Sequence, residues 1–148
     1  DRGRLHSDAE RGGGGSGGTQ TVFAVPGTVQ AEDYSSMSGI QLETTSDVGG
    51  GSNTGYVDEG DWLEYQIDVA SSGNFRIEYR LASQVGSSGF NVLVDGVQVD
   101  SKAVPNTGGW QTWTTWASTI GLQAGEHTLR LNAVGKEWNL NWIRFTAE

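Results

Sequence analysis

Four carboxylates, Asp58, Glu59, Asp61 and Glu64, crowd the segment "VDEGDWLE", and three tryptophans, Trp110, Trp113 and Trp116, crowd "NTGGWQTWTTW". The acidic cluster invites glycosidase chemistry, which needs two carboxyls about 5 to 9 Å apart across a cleft. Its spacing does not establish such a pair, and the segment reads as an acidic turn entering a strand. No nucleophile stands beside a base: His6 lies in the N-terminal tail and His127 in an expected strand, where a surface or satisfied core role suits it. The tryptophans invite recognition instead. A sugar ring presents a face of C–H bonds that a flat aromatic ring can cover while polar side chains at the rim take the hydroxyls. In "TGGWQ" glycines turn the chain just before Trp110, and in "NTGYVDEG" Tyr56 follows a glycine, so both rings are expected at loop edges. Core or sheet-face packing suits Trp113 and Trp116 better. Trp62 falls on the polar face of its strand, half-exposed or packed under a loop. Trp138, at the junction "GKEWNLNW", is either a further ligand wall or a lid on the core.

The elements that must position these residues alternate with period two. "WLEYQIDV" puts Leu63, Tyr65, Ile67 and Val69 on one face, and "FRIEYRLA" does the same with Phe75, Ile77, Tyr79 and Leu81. Strands are also expected in "GFNVLVDG", "VQVDSKAV", "WQTWTTWASTI", "EHTLRLNAV" and "NLNWIRFTA", separated by turn signals such as Asp95-Gly96 and Ala124-Gly125. Strict alternation places Trp110, Thr112, Thr114 and Trp116 on one face of their strand and Gln111, Trp113 and Thr115 on the other. Nothing sustains a helical period. Eight to ten short strands predict an all-β domain, a β-sandwich of jelly-roll topology.

Composition narrows the partners. The 148 residues lack cysteine and carry a formal net charge of −9. In the first twenty residues Arg2, Arg4 and Arg11 balance Asp1, Asp8 and Glu10, so the rest of the chain carries the charge. That balance argues against nucleic acid, anionic membranes and strongly anionic polymers. No apolar run approaches the ~20 residues that span a bilayer. The stretch "ERGGGGSGGTQT" reads as a flexible linker, so residues 1–20 are expected to be a linker or tail and residues 21–148 the folded module, with something attached upstream.

The segments "VQAEDYSSMSGIQLETTSDVGGGSNTGYVDEGDWLEYQIDV", "NTGGWQTWTTW", "GLQAGEHTLRL" and "NLNWIRF" follow one another in an order that resembles the family 6 carbohydrate-binding modules, from about Val25 to Phe145. The resemblance implies a non-catalytic jelly-roll module joined by a linker to a secreted glycoside hydrolase. It implies a loop-end aromatic clasp around a neutral polysaccharide or oligosaccharide of the xylan, β-glucan or agarose type. Carried across, the clasp is Tyr56 and Trp110, with Trp113 the rival for the second ring, and Asn139 bonds the sugar, with Lys136, Glu137 and Trp138 at the rim. A second, shallower surface would use Trp62 and Glu64. A structural calcium would be held by Gln30, Glu32 and Asn141, the last often aspartate in relatives, with a loop carbonyl; such a mixture of oxygens suits this hard cation. The implied module is monomeric and extracellular. The alternative from another class is a protein-interaction or adhesion sandwich using the same aromatics as a hot spot.

Overall fold

In the computed structural model, which describes residues 21–148, the period-two segments are strands. The expected linker or tail over residues 1–20 lies outside the described residues. Five short strands come first: β1 (Val22–Val25), β2 (Gly27–Gln30), β3 (Ser36–Ser38), β4 (Gln41–Thr44) and β5 (Ser52–Gly55), with a 3-10 turn at Ala31–Asp33. Seven longer ones follow: β6 (Trp62–Val69), β7 (Gly73–Ser83), β8 (Ser87–Val94), β9 (Val97–Val104), β10 (Gly109–Leu122), β11 (Gly125–Ala133) and β12 (Asn139–Ala147). Sequence patterning led to eight to ten strands, and twelve are present among the described residues. The difference lies in the first third, where strands of three or four residues are too short for an alternation to declare itself.

One sheet runs β1-β6-β11-β8-β9 with β3 also on β6, and the other runs β10-β7-β12-β5-β4 with β2 also on β12. From β6 onward the chain changes sheet at every connection except the β8–β9 hairpin, the wrapping of a jelly roll. Between the sheets lies one core. Leu63, Tyr65, Ile67, Val69, Leu129 and Leu131 face Phe75, Ile77, Tyr79, Leu81, Ile143 and Phe145, all buried as the alternation predicts. Each such side chain contributes about 1.5–3 kcal/mol by leaving water. Among the described residues no helix is long and apolar enough to cross a membrane.

Two irregularities interrupt the sheet around β7. On one side, Gly109 pairs with Ser83 and Thr114 with Leu81, so Trp110 to Trp113 stand opposite Ala82 alone and must lift off the sheet. On the other side, Leu140 pairs with Leu81 and Trp142 with Arg80, leaving Asn141 as an extra residue in β12. Bulges of this kind re-aim side chains. The first one breaks the expected alternation of Trp110 and Thr112 with Thr114 and Trp116.

Candidate functional site

The lifted segment of β10 forms one wall of a cleft of about 510 Å³, lined by Gln41, Glu43, Tyr56, Val57, Asp58, Trp110, Glu137 and Asn139. Tyr56 and Trp110 are 40% and 37% exposed, uncommon openness for rings of this size. Among the described residues Tyr56 and Glu137 are two of the three non-glycine residues with left-handed backbone, at φ 57° and 71°. Such residues persist only where their surroundings hold them, and they gather at ligand sites. Glu137 is held from both sides: its N–H donates to Val57 O at 2.9 Å, and its carbonyl accepts from Ser83 Oγ at 2.7 Å.

Asn139, 4% exposed, opens β12 beside Ala82. Its Nδ2 donates to the Trp110 carbonyl at 2.7 Å and to Glu43 Oε2 at 3.3 Å. Gly55 makes this packing possible, since a Cβ there would stand 2.5 Å from Asn139 Oδ1. Glu43 Oε2 also accepts from Asn53 Nδ2 at 3.2 Å and Gln111 Nε2 at 2.9 Å. Gln41 Oε1 is buried without a hydrogen-bond partner. The cleft thus offers two half-exposed aromatic rings beside the hydrogen-bonded Asn139 amide and Glu43 carboxylate. Sequence reasoning passed over Gln41 and Glu43, because "GIQLETT" shows only a short polar alternation, and gave Gln111 no more than a face of its strand.

The other tryptophans sit elsewhere. Trp138 is 1% exposed, packs on Phe90 with ring centroids 4.8 Å apart, and donates its indole N–H to Gly135 O at 2.9 Å. It is core, so the reading of Trp138 as a ligand wall is overturned and the lid on the core is what the structure has. Trp113 does not line the cleft; its Nε1 donates to Gln111 Oε1 at 3.2 Å, within the bulge. Trp116 lies opposite buried Tyr79 in register but on the edge strand, which leaves it 42% exposed instead of packed.

Trp62 and Glu64 lie on the outer face of β6, tied together by Arg130. The guanidinium lies 4.1 Å from the Trp62 ring centroid, and Nη1 meets Glu64 Oε2 at 2.8 Å. One face of the ring is therefore covered by a cation. The acidic cluster is dispersed: Asp61 Oδ2 accepts from the Asp58 N–H at 2.8 Å, closing the turn, while Asp58 alone of the four lines the cleft.

A second, more polar cleft of about 440 Å³ gathers Gln30, Glu32 and Asn141, together with Thr28, Val48 to Gly51, Trp142 and Arg144. Asn141 Oδ1 is buried without a hydrogen-bond partner. Its Nδ2 donates to Asp47 Oδ2 at 2.8 Å, and the same carboxylate grips Arg80 through Nε and Nη2, both at 2.9 Å. Arg80 holds the Asp47 carboxyl below its usual range, Asn141 and the Val48 N–H acting in the same direction and burial against it. Among the described residues no group of three or more His, Cys, Asp or Glu could hold a metal. An ion here would depend on amide and backbone oxygens beside Glu32, a mixture that calcium accepts and zinc does not.

Comparison with known proteins gives a consistent picture. A family model described as carbohydrate binding module (family 6) matches residues 30–147. The chain is 47% identical to a carbohydrate binding module of Cellvibrio mixtus lichenase 5A solved in complex with cellotriose, covering 84% of this chain and 98% of that one with a TM-score of 0.76. It is 34% identical to a β-1,3-glucan binding module from Bacillus halodurans, covering 86% and 100% with a TM-score of 0.76. It is also 44% identical over 121 residues to the clotting factor G alpha subunit of Tachypleus tridentatus, matching 80% of this chain and 18% of that protein. The chain spans less than a quarter of the length of the curated relatives it matches.

Proposed function

We propose, from the premise that this chain belongs to the carbohydrate binding module family 6, that its Tyr56–Trp110 cleft binds a neutral β-linked glucan. Membership makes the chain a non-catalytic, polysaccharide-binding module. The observation carrying the finer reading is the convergence of Tyr56, Trp110, Asn139 and Glu43 on one cleft. The two rings sandwich a sugar through its C–H faces, and the fixed amides and carboxylates take its hydroxyls. Three carboxylates, Glu43, Asp58 and Glu137, line the cleft without a cation among the lining residues, so uronate or sulfate groups are repelled. The cellotriose complex of one relative and the β-1,3-glucan in the name of another support a glucan over xylan or agarose. The expected affinity is modest, roughly 1 mM to 1 μM or about 4 to 8 kcal/mol.

Modest affinity suffices for a module that keeps an attached glycoside hydrolase on its substrate, because tethering acts through effective concentration. A module that keeps a hydrolase on a structural polysaccharide would work outside the cell. In the second cleft, Gln30, Glu32 and Asn141 would hold calcium, which would supply the buried Asn141 Oδ1 with a partner and tie the loop Val48–Gly51 to β12.

Native gels containing laminarin, hydroxyethylcellulose, xylan or agarose test the glucan reading. Retardation is expected in the glucan gels and lost in Trp110→Ala, whose melting temperature stays within a few degrees of the parent. Retardation by xylan or agarose alone would replace the glucan. No retardation anywhere would favour a protein partner. Collapse of the fold in Trp110→Ala would make that ring structural.

A further inference from the structure

The segment Trp110 to Trp113 stands away from β7 with Ala82 its sole counterpart, so ladder hydrogen bonds do not fix its shape. Side chains must, and one of them dominates. Gln111 Oε1 lies 2.8 Å from the Ser46 N–H, 3.2 Å from Thr45 Oγ1, 3.2 Å from Trp113 Nε1 and 3.3 Å from Ser46 Oγ. Its Nε2 donates to Glu43 Oε2 at 2.9 Å and to Asn53 Oδ1 at 3.0 Å. Donors on one side and acceptors on the other dictate how the amide is turned.

We propose that Gln111 is the positioning residue of the cleft, setting the place of Trp110, Glu43 and Asn139 without itself touching the glycan. Resting on the glycan reading above, the inference follows from a closed circuit. Gln111 donates to Glu43; Glu43 accepts from Asn139; Asn139 donates to the carbonyl of Trp110; and Trp110 is covalently joined to Gln111. Each member constrains the next, so the ring of Trp110, the carboxylate of Glu43 and the amide of Asn139 move together or not at all. Glutamine alone suits this place. A glutamate has no N–H for Glu43, and a methionine of similar length takes one donor from Glu43, the donor from Asn53 Oδ1 and the acceptor from the Ser46 N–H. Trp113 gains a role as well: its indole N–H steadies the Gln111 carbonyl from behind.

The test is binding of laminarihexaose and cellotriose to the whole chain, measured by titration calorimetry between pH 4 and pH 8. In Gln111→Glu the introduced carboxyl faces Glu43 from β10, while Asp47, whose carboxylate pairs with Arg80, meets Thr45 Oγ1 only through its backbone N–H. Two carboxyls so close share a proton, and their pair titrates above the usual carboxylate range. While that proton is held the introduced group can still donate to Glu43. Near pH 4 Gln111→Glu therefore binds within a few-fold of wild type, and its affinity falls by up to about tenfold per pH unit through the titration. Wild type does not share that fall. Gln111→Met binds at least about tenfold more weakly at every pH, the equivalent of one charge-assisted hydrogen bond.

A residue that only stabilised the fold would lower the melting temperature and leave the pH profile of binding alone. Wild-type affinity and a wild-type profile in Gln111→Glu would overturn the proposal by itself. If Gln111→Met fails to fold, the profile of Gln111→Glu decides. Failure of wild type to bind either probe would overturn the glucan reading, and this proposal with it.

Discussion

The Asp47 carboxylate ties Asn141 of the second cleft to Arg80 of β7, and its removal has a cost that can be worked out. Four donors converge on it: Arg80 Nε and Nη2 at 2.9 Å each, Asn141 Nδ2 at 2.8 Å and the Val48 N–H at 2.9 Å. Asp47→Ala removes all four. The Asn141 Nδ2 is left buried without an acceptor, which costs about 1–3 kcal/mol. Losing the ion pair would cost about 3–5 kcal/mol were both ends buried. Arg80, however, is a quarter exposed and retains Thr115 Oγ1 at 3.1 Å, so water and that hydroxyl recover much of it. The sum is about 3 kcal/mol, or roughly a 10 °C fall in melting temperature for a domain of this size. Calorimetry at pH 7 reads it directly. The pH dependence gives an independent check. Because the folded carboxyl is held below its ordinary value, chiefly by Arg80, its contribution is fully present above the unfolded pKa near about 4. It is lost as pH falls through the depressed folded value. Asp47→Asn should therefore flatten the stability curve on the acid side of pH 5. A loss below about 1 kcal/mol in Asp47→Ala, or an acid limb unchanged in Asp47→Asn, would refute the reasoning.

Two further outcomes are expected. His127 has Asp95 Oδ2 2.7 Å from Nδ1 and the Gln123 carbonyl 2.8 Å from Nε2, acceptors on both sides that only the imidazolium can serve with two donors. Its pKa is raised, first by Asp95 and then by Gln123, so its stabilisation is complete below the ordinary value near about 6.5 and lost as pH rises through the folded one. With Asp95 over half exposed, the amount stays under about 1 kcal/mol; proton NMR of the two histidines should show one titrating high, and His127→Gln should remove that signal. Calcium at a hundredfold excess over its dissociation constant should raise stability by about 2.7 kcal/mol, reversed by chelator and absent in Asn141→Ala. Superimposable melts with and without chelator would remove calcium from the second cleft.

Much of the fold was legible because alternation is a local signal: Leu63 to Val69 and Phe75 to Leu81 declare their buried faces within eight residues. Tyr56 and Trp110 stood out because each follows a glycine, although Gly55 ends β5 and Tyr56 itself takes the left-handed turn. The bulge that lifts Trp110 to Trp113 was not, since it is a mismatch between two strands and neither carries it alone. The roles of Glu43 and Gln111 were hidden too. Their hydrogen bonds link residues 68 positions apart, and those of Glu43 and Asn139 span 96. Trp138 left two readings open because a loop-to-strand junction can turn a ring either way; Phe90, far away in sequence, decides the direction.

The strand β12 also sets a direction for anything joined to this domain. Asn139 at its head borders the cleft, while Ala147 near its foot pairs with Phe75, and the Glu148 N–H donates to Asn74 O at 3.0 Å. Eight steps of about 3.3 Å each hold Asn139 and Ala147 some 26 Å apart. The strand acts as a strut: a neighbour tethered beyond Glu148 departs from the end of β12 away from the cleft.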